Sequence, residues 1–160
     1  MRTSPAILVA SLLLTGPLMA DTYTVNTTVS ASDGCDEAPD PLVCDTGSCA
    51  SPSGLCSIHA AIRTANDRPG ADTILFTPSA ITLTADLPQI LDPVTIGPPS
   101  LPRVDLNGNG SNSGLVLDEL AAGSVIRNLV IRNMSGNGIT LTTGTGGNAI
   151  QGCYIGTNPA

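Results

Sequence analysis

VIRNLVI at residues 125–131 returns 24 positions later as AIQGCYI at residues 149–155. The segment between them repeats with the same offset, because GLVL at residues 114–117 returns as GITL at residues 138–141. Two strand-like segments that share one offset indicate a structural repeat. Short apolar strands with Asn and Gly at a period of 20–30 residues are typical of a β-solenoid.

Composition agrees with stacked aliphatic layers. The 160 residues are 41% hydrophobic but only 2% aromatic, so the core must consist of Val, Ile, Leu and Ala. Stacked hairpins are the alternative, since Asn107-Gly108 and Asn137-Gly138 suit hairpin turns, but hairpins do not require one offset for both segments. Side-chain alternation predicts inward ladders of Val125, Leu129 and Ile131 below Ala149, Cys153 and Ile155, with Arg127, Val130 and Arg132 facing outward.

Residues 1–20 are predicted to be a secretory signal peptide. Arg2 supplies the charged start, residues 6–14 form the apolar run, and Ala20 is a suitable last residue before cleavage. The alternative, a membrane anchor, needs a longer apolar run. Cleavage removes Arg2 and leaves 5 basic residues against 13 acids, a charge of −8 with no lysine. Such a surface repels nucleic acid and anionic membranes.

Four of the five cysteines crowd into one short polar segment after the first strand. Export favours disulfides. Three pairings are open, of which we prefer the nested one, Cys35 with Cys56 and Cys44 with Cys49. A zinc site is the alternative, but no C-x-x-C pair is present. Cys153 takes the place of Leu129 in the repeat and is expected to be a small apolar residue with a free thiol.

A short helix is predicted directly after the cysteine-rich segment. Ser57 can cap it, and Pro69-Gly70 ends it. A helix of about ten residues is too short to be stable alone. Its narrow apolar face is expected to pack on the first turn of the solenoid, through Ile58, Ala61, Ile62 and Ala65.

LCSIHAAIRTANDRPGADTI at residues 55–74 resembles the domain family named after its one-letter signature CSLREA. CYIGTNPA at residues 153–160 is similar to a segment common in the turns of those proteins. The resemblance implies a right-handed parallel β-helix of the pectin-lyase-like class, exported and headed by a cap. This chain departs from the signature at His59 and Ala60, where the family has Arg and Glu.

The predicted fold is therefore all-β: a right-handed parallel β-helix with an N-terminal cap of one short α-helix and a disulfide-stapled loop. We expect a signal peptide at 1–20, the cap at 21–72 and the β-helix at 73–160. The sequence stops inside a repeat, so we expect a truncated form of a longer chain. A short chain whose open strand edge pairs with another molecule is the alternative.

Six acidic and basic residues are candidates for catalytic or calcium-binding groups. Carboxylates could hold calcium in principle, and an arginine could act as base or carboxylate clamp in a polysaccharide lyase; a hydrolase would need a carboxylate pair such as Asp105 with Asp118. No ligand-spaced cluster appears, so solvated and turn positions explain these residues better. They are Asp92, Asp105, Asp118, Glu119, Arg127 and Arg132.

Other polar residues also have structural explanations. His59, the only histidine, is expected on the exposed side of the helix, and Ser57 as a helix cap rather than a nucleophile. The NGNG stretch at residues 107–110 indicates turns rather than a calcium loop. Asn26 and Asn133 begin glycosylation sequons. On a predicted rung, only Tyr154 offers an aromatic face for a sugar.

No catalytic, cofactor-binding or metal-binding residue is therefore predicted. The leading hypothesis is a non-catalytic, exported β-helix scaffold of a bacterial secreted or cell-surface protein, adhesin-like by family resemblance. Its expected partners are extracellular glycans or host-surface molecules, without nucleic acid and without a transmembrane segment in the mature chain. The alternative is a polysaccharide lyase or glycoside hydrolase of the pectin-lyase-like class.

Overall fold

A computed structural model describes residues 19–30, 54–110, 112–142, 144 and 146–156. Short strands, one α-helix and one 3₁₀ turn at Glu119–Ala121 make up this part of the chain. In chain order the elements are β1 (Thr22–Val25), β2 (Val29–Ser30), α1 (Ile58–Asp67), β3 (Asp72–Phe76), β4 (Ala80–Leu83), β5 (Val94–Ile96), β6 (Val104–Asn107), β7 (Leu115–Leu117), β8 (Val125–Arg127), β9 (Leu129–Arg132), β10 (Ile139–Leu141), β11 (Ala149–Gln151) and β12 (Tyr154–Ile155).

The strands form three sheets in which neighbouring strands are parallel. The first sheet has the order β1-β3-β5-β8-β11 and the second β2-β4-β6-β9-β12. The third pairs β7 with β10 and is extended by a bridge from Ile90 to Leu117. Because consecutive strands fall in different sheets and each pairs with the strand of the next turn, the chain coils as a parallel β-solenoid. The hairpin alternative is thereby excluded for the described residues.

The 24-residue offset is confirmed as the register of the last two turns. Val125 pairs with Ala149 and Leu115 with Ile139. Earlier turns have other lengths: Ile74 pairs with Ile96, 22 residues on, and Ile96 with Ile126, 30 residues on. Loops of different length between the strands absorb the difference, so the repeat is visible in the sequence only where the loops match.

Aliphatic side chains stack through the interior as ladders. In the first sheet Ile74, Ile96 and Ile126 are successive partners, and each is at most 1% exposed. In the second sheet Ile81, Leu106 and Ile131 form the equivalent series. Burial of such side chains stabilises the fold by about 1.5–3 kcal/mol each. Stacking in register is therefore what holds the turns together.

Val130 keeps its predicted outward position between the core residues Leu129 and Ile131, although its neighbours bury it. One predicted orientation is wrong: Val125, which was expected to face inward, is partly exposed, and its neighbour Ile126 faces the core. The reason is Asn128, whose φ of 52° turns the chain between β8 and β9. This corner interrupts strict alternation, so Ile126 and Leu129, three positions apart, both point inward. Leu129 and Ile131 were correctly predicted inside.

Side-chain and backbone hydrogen bonds hold the Asn128 corner. Its side-chain amide donates to the Pro98 carbonyl of the turn below (3.0 Å), and its backbone N–H donates to the Gln151 carbonyl of the turn above (2.9 Å). Gly152 takes the equivalent position one turn on with a φ of 60°. A Cβ there would lie 2.6 Å from the Asn128 Oδ1, so the close approach as well as the left-handed backbone requires glycine.

Helix α1 lies against β1 and β3. Ser57 caps it, accepting a hydrogen bond from the Ala60 N–H at 3.1 Å. The structure buries the four residues of its predicted apolar face, namely Ile58, Ala61, Ile62 and Ala65. No helix among the described residues is long and apolar enough to cross a membrane.

The disulfide-stapled loop falls largely outside the described residues. Cys35, Cys44 and Cys49 lie there, and no disulfide joins two described residues. Cys56 is buried and disulfide-bonded, whereas Cys153 is a free cysteine. The nested pairing therefore stays a prediction.

The Ile126→Ala substitution should lower the free energy of unfolding by about 2–5 kcal/mol, because it leaves a cavity between Ile96 and Ile150. Val125→Ala is the matched control one residue away on the partly exposed side, and it should cost less than about 1 kcal/mol. Urea unfolding followed by circular dichroism measures both. Equal losses in the two variants would contradict the assigned orientation of β8.

Candidate functional site

Polar side chains of adjacent turns meet on the outer surface of the second sheet. We call this surface the polar face and define it by Asp105 and Asn107 of β6, Arg132 of β9, and Asn133 directly after it. Asn107 and Arg132 are register partners in neighbouring strands. Parallel stacking thus brings together residues more than 20 positions apart in sequence.

Arg132 and Asp105 form a two-pronged ion pair. The Arg132 Nε lies 2.9 and 3.0 Å from the two Asp105 carboxylate oxygens, and its Nη2 lies 2.8 Å from Oδ2. Hydrogen bonding to Asp105 raises the pKa of Arg132. The guanidinium therefore stays protonated, which opposes the role of a base, and Asp105 already occupies the fork that would clamp a substrate carboxylate.

The NGNG stretch forms a solenoid corner. Asn109 has a φ of 57°, and its backbone N–H donates to the Asn107 Oδ1 at 3.0 Å. The same oxygen accepts from the Asn133 side-chain amide at 3.2 Å. The amide oxygen that a cation would need is thus occupied by turn hydrogen bonds, in agreement with the turn interpretation.

The remaining candidate carboxylates lie apart. Asp92 accepts a hydrogen bond from the Gly70 N–H at 2.7 Å. Asp118 and Glu119 follow β7 on the third sheet, whereas Asp105 belongs to the second sheet, so the proposed pair Asp105–Asp118 lies on different faces of one turn. No group of three or more His, Cys, Asp or Glu residues among those described could hold a metal ion.

His59 was predicted to be exposed, and this is wrong. The side chain is 5% exposed, and its Nε2 lies 2.6 Å from the Asp86 carbonyl oxygen. Since a carbonyl oxygen only accepts, Nε2 carries the proton of this hydrogen bond. The sequence pattern of the helix predicts that this side is polar and exposed, but the loop that contains Asp86 covers it. His59 therefore joins helix α1 to the loop after β4.

Arg103 was missed by the sequence analysis. Its guanidinium carbon lies 4.0 Å from the centroid of the Tyr154 ring, and its Nε donates to the Gly152 carbonyl at 2.6 Å. The residues are about 50 positions apart, so no local pattern relates them. This contact covers one side of the Tyr154 ring, the candidate aromatic face for a sugar. Arg127 likewise donates to the Gly97 carbonyl at 3.3 Å.

The two sequon asparagines are structural in the described fold. The Asn26 side chain donates to the Gly54 carbonyl (3.0 Å) and accepts from the Cys56 N–H (2.8 Å), which ties the end of β1 to the start of the helical segment. The Asn133 amide donates to Asn107, as described above. Glycosylation would attach a sugar to the same nitrogens that donate these hydrogen bonds.

A shallow depression lies beside the polar face. Its lining includes Ile131, Arg132, Met134 and Ile155, and its volume is about 190 Å³. Ligand pockets for small molecules are usually about 300–1,000 Å³. The depression is too small to enclose a sugar unit together with its neighbours in a chain.

Comparison of this chain with protein-family models, curated proteins and solved structures finds no match. The resemblance to CSLREA-headed, pectin-lyase-like proteins therefore stays a hypothesis that rests on the quoted motifs. The parallel β-solenoid itself follows from the strand pairing.

The His59→Ala substitution should lower the free energy of unfolding by about 1–3 kcal/mol, because it leaves the Asp86 carbonyl without its donor and opens a cavity. Asp67→Ala, at an exposed position of the same helix, is the control and should change stability by less than about 0.5 kcal/mol. Thermal unfolding of both variants tests this. An unchanged midpoint for His59→Ala would mean that the buried contact contributes nothing.

Proposed function

We propose that this chain is a non-catalytic segment of an exported, right-handed parallel β-helix that serves as a scaffold in a bacterial secreted or cell-surface protein. Its function is to present an extended, stacked surface to extracellular glycans or host-surface molecules, in the manner of an adhesin. Neither a cofactor nor a metal belongs to this proposal.

The observation that carries the proposal is the engagement of the polar side chains that suit catalysis. Asp105 and Arg132 bind each other, Asp92 binds a backbone N–H, and His59 binds a backbone carbonyl. A lyase or hydrolase needs a base or acid that can reach substrate and exchange a proton. Side chains that are already hydrogen-bonded within the solenoid are not placed to exchange protons with a substrate. They are suited to stabilising a scaffold.

Export is supported by the sequence features at the N-terminal end. The signal-peptide pattern at residues 1–20 and the four clustered cysteines both favour an oxidising compartment. The resemblance of residues 55–74 to the CSLREA signature points the same way. A disulfide-stapled cap over the first turn would also protect the open edge of the solenoid from pairing with other chains.

Incubation of the protein with pectate and other acidic glycans, with and without calcium, separates the scaffold from the enzyme. We expect neither unsaturated ends, seen as ultraviolet absorbance, nor new reducing ends. An active pectate lyase is the positive control. Appearance of either product, and its loss in an Arg132→Ala variant, would replace the scaffold by the lyase or hydrolase alternative.

Alkylation under non-reducing conditions tests the oxidised cap. After unfolding, we expect one thiol per chain to react, at Cys153, because the other four cysteines are paired. Mass spectrometry of the alkylated peptides identifies the site, and Cys153→Ser is the matched control that should abolish labelling. Three or more labelled cysteines would contradict the double staple and weaken the case for export.

A further inference from the structure

A buried carboxylate at the start of β3 has no complete set of partners. Asp72 is 1% exposed, and its Oδ1 accepts a hydrogen bond from the Asp21 backbone N–H at 2.7 Å. Its other oxygen, Oδ2, is buried and lacks a hydrogen-bond partner among the described residues. A buried carboxylate without sufficient donors is costly, so this site calls for an additional positive group.

The surroundings of Asp72 are short of positive charge. Among the described residues, the charged groups that act on it are the carboxylates of Asp21 and Asp92 and the guanidinium of Arg68, which lies 3.6 Å from the Asp21 carboxylate. The four side chains together carry a formal charge of −2. One cation therefore serves three carboxylates, and that cation is already paired.

Ionisation in this site is correspondingly unfavourable. Burial raises the pKa of Asp72, and the Asp21 and Asp92 carboxylates raise it further. Burial, followed by the charge of Asp72, also raises the pKa of the nearby Tyr23 to about 12. Because folding favours the protonated form of Asp72, this residue contributes to the stability of the uncleaved chain at acidic pH. That contribution is lost as the pH rises through the pKa of Asp72 in the folded chain.

The donor to Asp72 is the nitrogen of the peptide bond at which the sequence predicts signal-peptide cleavage. We infer that Asp72 is the acceptor for a new α-ammonium group at Asp21, and that cleavage of the Ala20–Asp21 bond completes this site with an ion pair. The inference rests on the export proposed above. It assigns Asp72 a role in maturation rather than in ligand binding.

The chemistry of the step is a hydrolysis by a signal peptidase. Water adds to the Ala20 carbonyl carbon, the C–N bond to Asp21 breaks, Ala20 leaves with a carboxylate, and the Asp21 amine takes up a proton. The nitrogen changes from an amide with one hydrogen to an ammonium with three. It can then donate to both oxygens of Asp72, and the local formal charge becomes −1 instead of −2.

Gly70 offers a second link between this site and cleavage. A Cβ on Gly70 would overlap the Met19 carbonyl oxygen, and the three nearest atoms all belong to Met19 and Ala20. The uncleaved chain thus crosses directly over the Gly70 backbone. Cleavage after Ala20 removes those atoms. Glycine should therefore be required at position 70 in the uncleaved chain but not in the cleaved one.

The test uses the full chain exported by a bacterial host with its own leader. Three variants accompany it: Asp72→Asn, an insertion of Ser-Gly between Ala20 and Asp21, and both changes combined. The insertion keeps the cleavage sequence and the free amine but moves that amine two residues away from Asp72. N-terminal sequencing should find Asp21 first in the wild type.

Amine labelling then reports on the ion pair directly. The sequence has no lysine, so the α-amino group is the only amine in the processed chain. At about pH 8, where an ordinary α-amino group is half deprotonated, an amine-reactive ester should label the folded wild type about fivefold more slowly than any of the three variants, because a pKa raised by about one unit leaves only about one tenth of the amine unprotonated. After unfolding, all four should react equally.

Stability gives a second measurement. The insertion should lower the thermal midpoint by about 4 °C or more in the wild-type background and have a smaller effect with Asp72→Asn. Gly70→Ala should lower the thermal midpoint further in the insertion chain, because Ser-Gly there occupies the place of Met19 and Ala20. In the cleaved wild-type chain, which begins at Asp21, the same substitution should be tolerated.

Equal labelling rates for wild type and Asp72→Asn in a chain that begins at Asp21 would overturn the ion pair. Another first residue, or retention of residues 1–20, would overturn the cleavage assignment. Retention would also count against export. If the protein instead degraded a glycan in the assay described above, the scaffold function would be wrong. The Asp72 ion pair would still be supported by the amine-labelling rates.

Discussion

Stacking of equivalent residues in successive parallel turns is the constraint on which the rest of this structure depends. Strands in a parallel sheet lie about 4.8 Å apart, so each inward side chain must fill the space directly above its partner. Ile74, Ile96 and Ile126 meet this requirement in the first sheet. Aliphatic residues suit it because they pack closely without hydrogen-bonding groups, which explains a core with so few aromatic rings.

The corners impose the second condition, since the chain must turn without losing the stack. Asn128, Asn133 and Asn109 have left-handed backbones, and the side chains of Asn128 and Asn133 donate to neighbouring turns. On the outer face, the ion pair between Asp105 and Arg132 joins adjacent strands in the same way. These polar residues therefore stabilise the coil itself, and this is the physical basis for proposing a scaffold rather than an enzyme.

Asp72 is a buried polar residue whose hydrogen bonds are incomplete. The side chains of buried Asn112 and Ser124 donate hydrogen bonds to backbone carbonyls, whereas the Asp72 carboxylate keeps an unsatisfied oxygen next to two other acids. In the maturation that we infer, cleavage after Ala20 supplies the missing charge as a new α-ammonium group at Asp21. Maturation and fold would then be linked at the first turn, beside the helix that lies against it.

The sequence by itself determined the class of fold, the helix after Ser57 and the register of the last two turns. Local periodicity and one shared offset of 24 residues are enough for these features. It did not determine that Ile126 rather than Val125 faces the core, because that depends on the backbone angle at Asn128. Nor did it reveal that His59 is buried, that Arg103 lies over Tyr154, or that Asp72 meets Asp21. Only the tertiary structure decided these contacts, because loops of unequal length set which distant residues lie one above the other.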